Sequence, residues 1–259
     1  IDGAGVSIAN AAQPFLPVLL TRLGATNFQV GLLTSMPGVT GLVLAILVGR
    51  FLQSRREIVP WYSLARLLVI ACYTLTGIVV FTISGQYAIA AILVIWGLAT
   101  LPQTGLAVAF SVVMNAVAGP EGRYALLSRR WAVFGLTGVA VTFLITRVID
   151  LVAFPINYGL MFMGLSLGGL VSFYFSRKIK LAPQTPPAPV PSSSVLDSAR
   201  NYFSLILSEP AFRSFAVKKF VYISAVSLSM PILPLFFVRE VRASDSQIGT
   251  DRKSTRLNS

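Results

Sequence analysis

The most constraining feature of this sequence is a long block without charge: no Asp, Glu, Lys or Arg lies between Arg66 and Glu121. An α-helix crosses the hydrocarbon core of a bilayer with about 20 apolar residues. Residues 67–120 are therefore long enough for two such helices, with a turn at residues 84–86 (Ser-Gly-Gln) between them. Only 12% of the chain is charged, against about a quarter in a soluble domain, and the mean hydropathy is +0.76. We therefore expect a polytopic membrane protein.

The same length criterion predicts seven membrane-spanning helices. Their approximate ranges are 1–21, 28–50, 61–83, 87–114, 128–150, 156–176 and 213–238. The first apolar run lacks the basic segment and the clear cleavage site of a signal peptide, so we interpret it as a span. The predicted fold class is an all-α polytopic membrane protein.

Two stretches of the chain repeat one another. Residues 14–31 read PFLPVLLTRLGATNFQVG and residues 231–249 read PILPLFFVREVRASDSQIG, and they align with a one-residue gap. The shared positions are Pro14, Leu16, Pro17, Arg22, Ala25, Gln29 and Gly31, which match Pro231, Leu233, Pro234, Arg239, Ala243, Gln247 and Gly249. A repeat of this period in an apolar chain is typical of transporters built from two similar halves.

The repeat and the composition divide the chain into four parts. Residues 1–176 hold the first six spans, and residues 177–212 form a polar linker rich in Pro and Ser. Within that linker, residues 196–207 form either a short amphipathic helix on the membrane surface or the approach to the seventh span. Residues 213–250 hold the seventh span and the start of a second bundle. We expect residues 251–259 (DRKSTRLNS) to be a sequencing-adapter artefact, the alternative being a genuine polar tail.

Positive charge predicts the orientation. The first, larger group of Lys and Arg is Arg50, Arg55, Arg56, Arg66, Arg123, Arg129, Arg130, Arg177, Lys178, Lys180, Arg200, Arg213, Lys218 and Lys219. These residues fall on one side of the predicted membrane, and the opposite side has Arg22, Arg147, Arg239 and Arg242. Because Lys and Arg collect on the cytoplasmic side, we expect a cytoplasmic N-terminus, in the plasma (inner) membrane of a prokaryote.

Three local motifs lie at the ends of the predicted spans. One is the turn LGATNFQVG at residues 23–31, with its later copy. The second is GRFLQSRR at residues 49–56, and the third is GPEGR at residues 119–123. The second is similar to the Gly-x-x-x-Asp-Arg/Lys-x-Gly-Arg-Arg loop of the major facilitator superfamily, with Gln53 where that family has Asp. Over residues 1–250 the chain resembles that superfamily, which implies a six-helix bundle followed by the first helix of a second bundle.

Polar residues inside the apolar spans are candidates for a substrate cavity, because an intramembrane polar group requires a partner or a function. In the first span, Asp2 and Gln13 lie about 20° apart on the helix, and Asn10 lies about 80° from Asp2. Pro14 and Pro17 follow and predict a bend at the same depth. The fourth span has a similar interruption at Gln103 and Thr104, directly after Pro102.

The resemblance implies that the first and fourth spans line a central cavity, so Asn10, Gln13, Gln103 and Thr104 are the candidate substrate-contacting residues. Hydrogen bonding between helices without a ligand is the alternative for each of them. Asp2 is the acidic residue placed well inside a span, and desolvation favours its protonated form. We therefore expect Asp2 to carry the proton if transport is coupled to protons.

The loops supply candidate gating residues: Gly49, Arg55, Arg56 and Arg123. Gly49 would allow a neighbouring helix to approach closely, and the two adjacent arginines could pair with helix carbonyls or with Glu57 or Glu121. The alternative is that these arginines only keep their loops in the cytoplasm. The paired glycines Gly164 and Gly168, and likewise Gly38 and Gly41, predict close helix packing.

Missing residue types limit the chemistry. The chain has no His, one Cys and no GxxxxGK motif, so we expect no catalytic site, no metal site, no cofactor and no ATP-driven step. The excess of positive charge follows the loops, so we do not expect nucleic-acid binding. We predict a monomeric secondary transporter, not an enzyme, whose partners are the bilayer and a small-molecule substrate, with the proton as the candidate coupling ion. A membrane sensor or scaffold that retains the fold without transport is the alternative.

Overall fold

The computed structural model describes residues 2–181, 200, 204, 208–229, 232–244 and 247–248. Within these residues the chain forms α-helices and one short 3-10 helix, without strands. The helices are α1 (Asp2–Asn10), α2 (Phe15–Arg22), α3 (Asn27–Gln53), α4 (Val59–Thr82), α5 (Gly85–Val148), α6 (Ile156–Ser176), α7 (Pro210–Ser229) and α8 (Ile232–Arg239). The expected all-α fold is confirmed for the described part of the chain.

The helices have the length and composition needed to cross a membrane. In the described part of the chain six stretches meet this criterion: Asp2–Arg22, Val59–Thr82, Gly85–Gly119, Glu121–Leu151, Ile156–Ser176 and Pro210–Arg239. A seventh, α3, also qualifies if its two parts are taken as one span, because it bends by 46° between Gly41 and Val43. These stretches correspond to the seven spans predicted from the sequence, so the membrane-protein assignment stands.

The first span is broken in its middle. α1 ends at Asn10, residues 11–14 form turns, and α2 begins at Phe15. Pro14 has no N–H to donate to the carbonyl of Asn10, which accepts a hydrogen bond of 3.1 Å from the N–H of Gln13 instead. The interruption that Pro14 and Pro17 predict is therefore present at the depth of Asn10 and Gln13.

The prediction of a loop at residues 115–127, between the fourth and fifth spans, is wrong. α5 is helical from Gly85 to Val148 except for Gly119, whose φ of 64° and ψ of 177° lie outside the helical region. A glycine tolerates this φ without steric cost, and Pro120 suits the first position of a new helix. A reversal through one residue thus replaces the loop. We call Gly85–Gly119 the first arm of α5 and Glu121–Leu151 the second arm.

Each helix packs against particular neighbouring helices. α4 lies between α6 and the first arm of α5, while α1 packs against α6 and the second arm. α3 contacts the first arm, where Thr104 lies 3.8 Å from the position of a Cβ at Gly41. Of the six straight stretches described, the first is the most buried, with 67% of its apolar window inside the protein, against 7% for Pro210–Arg239.

Small residues allow α1 to lie close to α6. A Cβ at Gly5 would be 2.8 Å from the carbonyl oxygen of Gly168, and a Cβ at Gly168 would be 2.3 Å from Ile8. The predicted packing role is therefore confirmed for Gly168. It is wrong for Gly164 and Gly38, where a Cβ would meet no atom of the described residues within 4 Å.

Two predicted segments fall outside the described residues: most of the linker at 182–199 with its amphipathic stretch, and the tail at 251–259.

The two ends of the bundle are named for reference. The Asp2 end is the end of the bundle at which α1 begins. The turn end is the opposite one, where α2 ends at Arg22 and α8 ends at Arg239.

Candidate functional site

A charge cluster inside the bundle joins four helices at the Asp2 end. The carboxylate of Asp2 (α1) accepts hydrogen bonds from Nη1 of Arg66 (α4), from Nη2 of Arg130 (α5) at 3.4 Å and from Oγ of Ser172 (α6) at 2.7 Å. Arg66 also donates to the hydroxyls of Ser172 and Tyr62. We call Asp2, Tyr62, Arg66, Arg130 and Ser172 the charge cluster. Asp2 thus holds together the helices that surround it.

The charge cluster lies within stretches that are long and apolar enough to cross a membrane. Arg66 is the eighth residue of α4, which places it about 10 Å along the helix from Val59 at 1.5 Å per residue. The Arg66 residue is 4% exposed, and the side chains of Arg130 and Asp2 are 12% and 24% exposed. Ionisable groups at such depth are costly unless they are paired, so the cluster is the strongest sign of a function in the described residues.

Glycine and aromatic residues shape the cluster. A Cβ at Gly3 would lie 3.3 Å from Arg130, so the absence of a side chain gives the arginine room beside α1. The guanidinium of Arg130 lies 4.5 Å from the ring centre of Phe110, and that of Arg66 lies 4.6 Å from the ring of Tyr62. Aromatic faces stabilise the cations where water is excluded.

The structure gives Asp2 two cationic partners that the sequence prediction did not include. Both of its carboxylate oxygens accept hydrogen bonds from arginines, one from Arg66 and the other from Arg130. Proton coupling through Asp2 stays a prediction.

The polar stripe of the first span continues from the cluster to the helix break. Asp2, Val6 and Asn10 are partly exposed and Gln13 is exposed, while their neighbours on the other faces of the span are mostly buried. Asp2, Val6 and Asn10 lie on one face of α1 at 100° per residue, and Gln13 follows in the turns after the helix ends. Asp2, Asn10 and Gln13 are therefore polar residues with partial or full exposure in a span that is mostly buried.

The candidates in the fourth span are Gln103 and Thr104, and Thr104 lies beside α3. Thr104 donates to the carbonyl of Thr100 at 2.8 Å and faces α3 at Gly41, and Gln103 is partly exposed. Among the described residues no hydrogen bond joins Asn10 or Gln13 to this pair. That the four residues line one cavity stays a prediction.

The candidate gating loops are exposed and make few contacts. Arg55 places its guanidinium 4.5 Å from the ring centre of Phe51 and 5.1 Å from that of Trp61. In the described part of the chain neither Arg55 nor Arg56 forms an ion pair with Glu57 or Glu121. The expected pairing with these two carboxylates is therefore wrong within the described residues, where Arg55 contacts aromatic rings, and pairing with helix carbonyls stays a prediction.

Two further loop expectations can be compared with the structure. A Cβ at Gly49 would meet no atom of the described residues within 4 Å, so the expected close helix approach at this glycine is wrong within them. Arg123 is exposed, in the second arm of α5 directly after the Gly119 reversal. A gating role of the four loop residues stays a prediction.

The two copies of the repeat form the same turn. In the first copy Thr26 and Gln29 form a capping box, with hydrogen bonds of 2.8 and 3.2 Å between backbone and side chain. In the second copy Ser244 and Gln247 form the equivalent bonds, at 2.9 and 3.3 Å. Such a box satisfies free N–H groups at the start of a helix. The repeat seen in the sequence is thus a structural repeat.

The turns also share a left-handed residue. Gly24 has φ of 89° in the first copy, and Arg242, at the equivalent position, has φ of 52°. The next residue, Ala25 or Ala243, is buried and donates its N–H back to the preceding helix at 2.9 or 3.0 Å. Only the glycine adopts this conformation without strain.

The turns contact each other reciprocally. Arg22 of the first copy donates to the carbonyl of Ala243 in the second copy at 2.8 Å. Its counterpart Arg239 donates to the carbonyl of Ala25 in the first copy at 2.6 Å, and to Oδ1 of Asn27 at 2.6 Å. Equivalent residues thus exchange equivalent bonds, as in a contact with two-fold symmetry. We call this arrangement the reciprocal arginine contact.

The sequence prediction missed the partners of Asp2. Arg66 and Arg130 were assigned to the positive charge that sets the orientation, because arginines near helix ends are usually explained in that way. A signal was present, since both lie within predicted spans (61–83 and 128–150) and not in the loops between them. An arginine inside a span requires a negative partner, and Asp2 is the acid available at that depth.

Comparison with known proteins gives no matching family model and no matching curated protein for this chain.

Proposed function

We propose that this chain is the first six-helix bundle and the beginning of the second bundle of a secondary transporter similar to the major facilitator superfamily. It moves a small solute by alternating access, in which two similar halves rock around a site near the middle of the membrane. The observation that carries the proposal is the reciprocal arginine contact.

The contact has the properties of an interface that opens and closes. It joins the two repeat copies through side-chain hydrogen bonds to backbone carbonyls, and Arg239 and Asn27 are exposed, so water can replace these bonds when the turns separate. The polar stripe lies further along the same span, with Gln13 about 14 Å from Arg22 at 1.5 Å per residue. A solute in the stripe would be closed off from the turn end while the turns are paired.

The rival function, a sensor or scaffold that retains the fold, predicts permanently paired turns. The test uses the sidedness of thiol labelling at Gln13→Cys in a Cys72→Ala background. A second version of this protein also carries Asn27→Cys and Glu240→Cys, joined by a bifunctional thiol reagent across the paired turns before the label is added. Both versions are labelled in sealed vesicles with a membrane-impermeant reagent, from one side and then from the other.

Alternating access predicts that Gln13→Cys is labelled from both sides and that joining the turns abolishes labelling from the turn end only. Labelling from a single side, unchanged when the turns are joined, would favour the sensor or scaffold. Joining Asn27→Cys to Leu23→Cys, both within the first copy, controls for the reagent itself.

A further inference from the structure

The charge cluster has more positive than negative charge. In the described residues Arg66 and Arg130 form ion pairs with Asp2 and with no other carboxylate. Two guanidinium groups and one carboxylate leave one positive charge in excess at a depth where unpaired charge is strongly disfavoured. The cluster as described is therefore electrically incomplete.

Its hydrogen bonding is incomplete as well. Nε of Arg66 and Nε of Arg130 are buried and have no hydrogen-bond partner among the described residues. A guanidinium has five N–H donors in a fixed plane, and leaving a buried donor unsatisfied is unfavourable. Both arginines thus hold donors available to a group that brings acceptors and one negative charge.

The cluster is also reachable. The side chain of Asp2 is 24% exposed, and the polar stripe leads from it past Asn10 to Gln13. A solute bound along the stripe would bring one end to the two arginines while the rest remained beside Asn10. The rings of Phe110 and Tyr62 lie against the flat faces of the two guanidinium groups, so the polar surface of each group is its edge.

We propose that the charge cluster binds an oxyanion, and that the transported solute carries a carboxylate or phosphate group which Arg66 and Arg130 recognise. Arginine suits such groups because its planar donors match two oxygens at once. Asp2 competes for the same donors and holds the arginines in place when no solute is bound. The assignment of the oxyanion to a solute rests on the proposed transport function.

The experiment measures anion binding by the full protein in nanodiscs of neutral phosphatidylcholine. The probes are succinate and inorganic phosphate, and uncharged succinamide is the size-matched control. The expected result is that at least one anion raises the midpoint of thermal unfolding, whereas succinamide does not. Arg130→Gln should weaken that binding by about tenfold or more, and Arg147→Gln, an exposed arginine outside the cluster, should leave it unchanged.

Asp2→Asn provides the second variant. Removing the competing carboxylate should strengthen anion binding by about tenfold, whereas a purely structural cluster would only lose stability. Equal binding by Arg130→Gln and the unchanged protein, or no response to either anion, would overturn the proposal.

Lipid and solute are distinguished by the nanodisc composition. Stabilisation by added phosphatidylglycerol, with no response to a soluble anion, would overturn the assignment to a solute. Anion binding without alternating access at Gln13→Cys would refute the transport proposal and leave the oxyanion site standing. Alternating access that no anion affects would refute the oxyanion site alone.

Discussion

The two ends of the bundle are held together in different ways. At the Asp2 end, opposite charges meet inside one bundle, and removing Asp2 leaves two arginines without their carboxylate. At the turn end, Arg22 and Arg239 donate to backbone carbonyls across the two repeat copies. The first arrangement favours permanent order within a bundle, and the second is of the kind that the proposed separation and re-formation of two halves requires.

The two repeat copies differ in burial but share their turn geometry. The span before the first turn has 67% of its apolar window buried, and the span before the second has 7%. The turns nevertheless share a capping box, a left-handed residue and an inward-facing alanine. The turn geometry therefore follows from the local sequence, whereas the packing around it does not.

The largest expected effect is on the location of reporters, because the two ends of the bundle should lie on opposite sides of the membrane. A reporter inserted at Gly85 lies at the turn end, and one fused after Val190 follows α6, which ends near the charge cluster. The excess of Lys and Arg predicts an all-or-none difference: the Val190 fusion is cytoplasmic and the Gly85 insertion is external. Both reporters on the same side would remove the distinction between the ends.

The next effect tests the buried charges. Asp2→Ala should lower the stability of the bundle by about 3 kcal/mol, because Arg66 and Arg130 lose their carboxylate. The midpoint of thermal unfolding in detergent measures this. Asp150→Ala is the matched control, since Asp150 is exposed in the short helix Ile149–Leu151, and its effect should stay within about 0.5 kcal/mol. Equal effects of the two substitutions would contradict a stabilising cluster.

Smaller effects are expected at the turn end. Arg22→Ala and Arg239→Ala should each cost about 1 kcal/mol, as expected for a partly exposed hydrogen bond. A double-mutant cycle on the same thermal unfolding measurement should find the two nearly additive, because the arginines bond to different carbonyls. A loss of stability as large as that of Asp2→Ala would show that the turn end is held together as strongly as the Asp2 end.

The smallest effect compares the two turns themselves. Gly24→Ala should destabilise by about 1 kcal/mol through its positive φ alone, because a Cβ there meets no atom of the described residues within 4 Å. Arg242→Gly should stabilise by a similar amount, since the arginine holds an unfavourable left-handed conformation. The midpoint of thermal unfolding should fall with Gly24→Ala and rise with Arg242→Gly. A shift in the same direction for both substitutions would mean that the turns are not equivalent.

The helices could be predicted from the sequence because their signal is local. Residues 156–176 were bounded correctly, since apolar residues end at Arg177 on one side and a proline precedes them on the other. The break near Pro14 followed from the missing N–H of proline. The helical continuation through residues 115–127 was missed, because the polar residues there resemble a loop and only Gly119 leaves the helical region.

The site was only partly predictable because its contacts are distant in sequence. The stripe of Asp2, Asn10 and Gln13 follows from the helical period. The meeting of Asp2 with Arg66, Arg130 and Ser172 depends on how four helices pack, which no local pattern encodes. The repeat predicted the equivalence of the two turns, but not that their arginines would contact each other.

The distance between the turns tests the central claim most directly. Spin labels at Phe28→Cys and Val241→Cys, two exposed positions on opposite copies, report it in lipid with Cys72 replaced by Ala. Alternating access predicts two distance populations, with the longer one increased by Arg22→Ala and Arg239→Ala together. A single short distance, unchanged by removal of both arginines, would contradict an interface that opens.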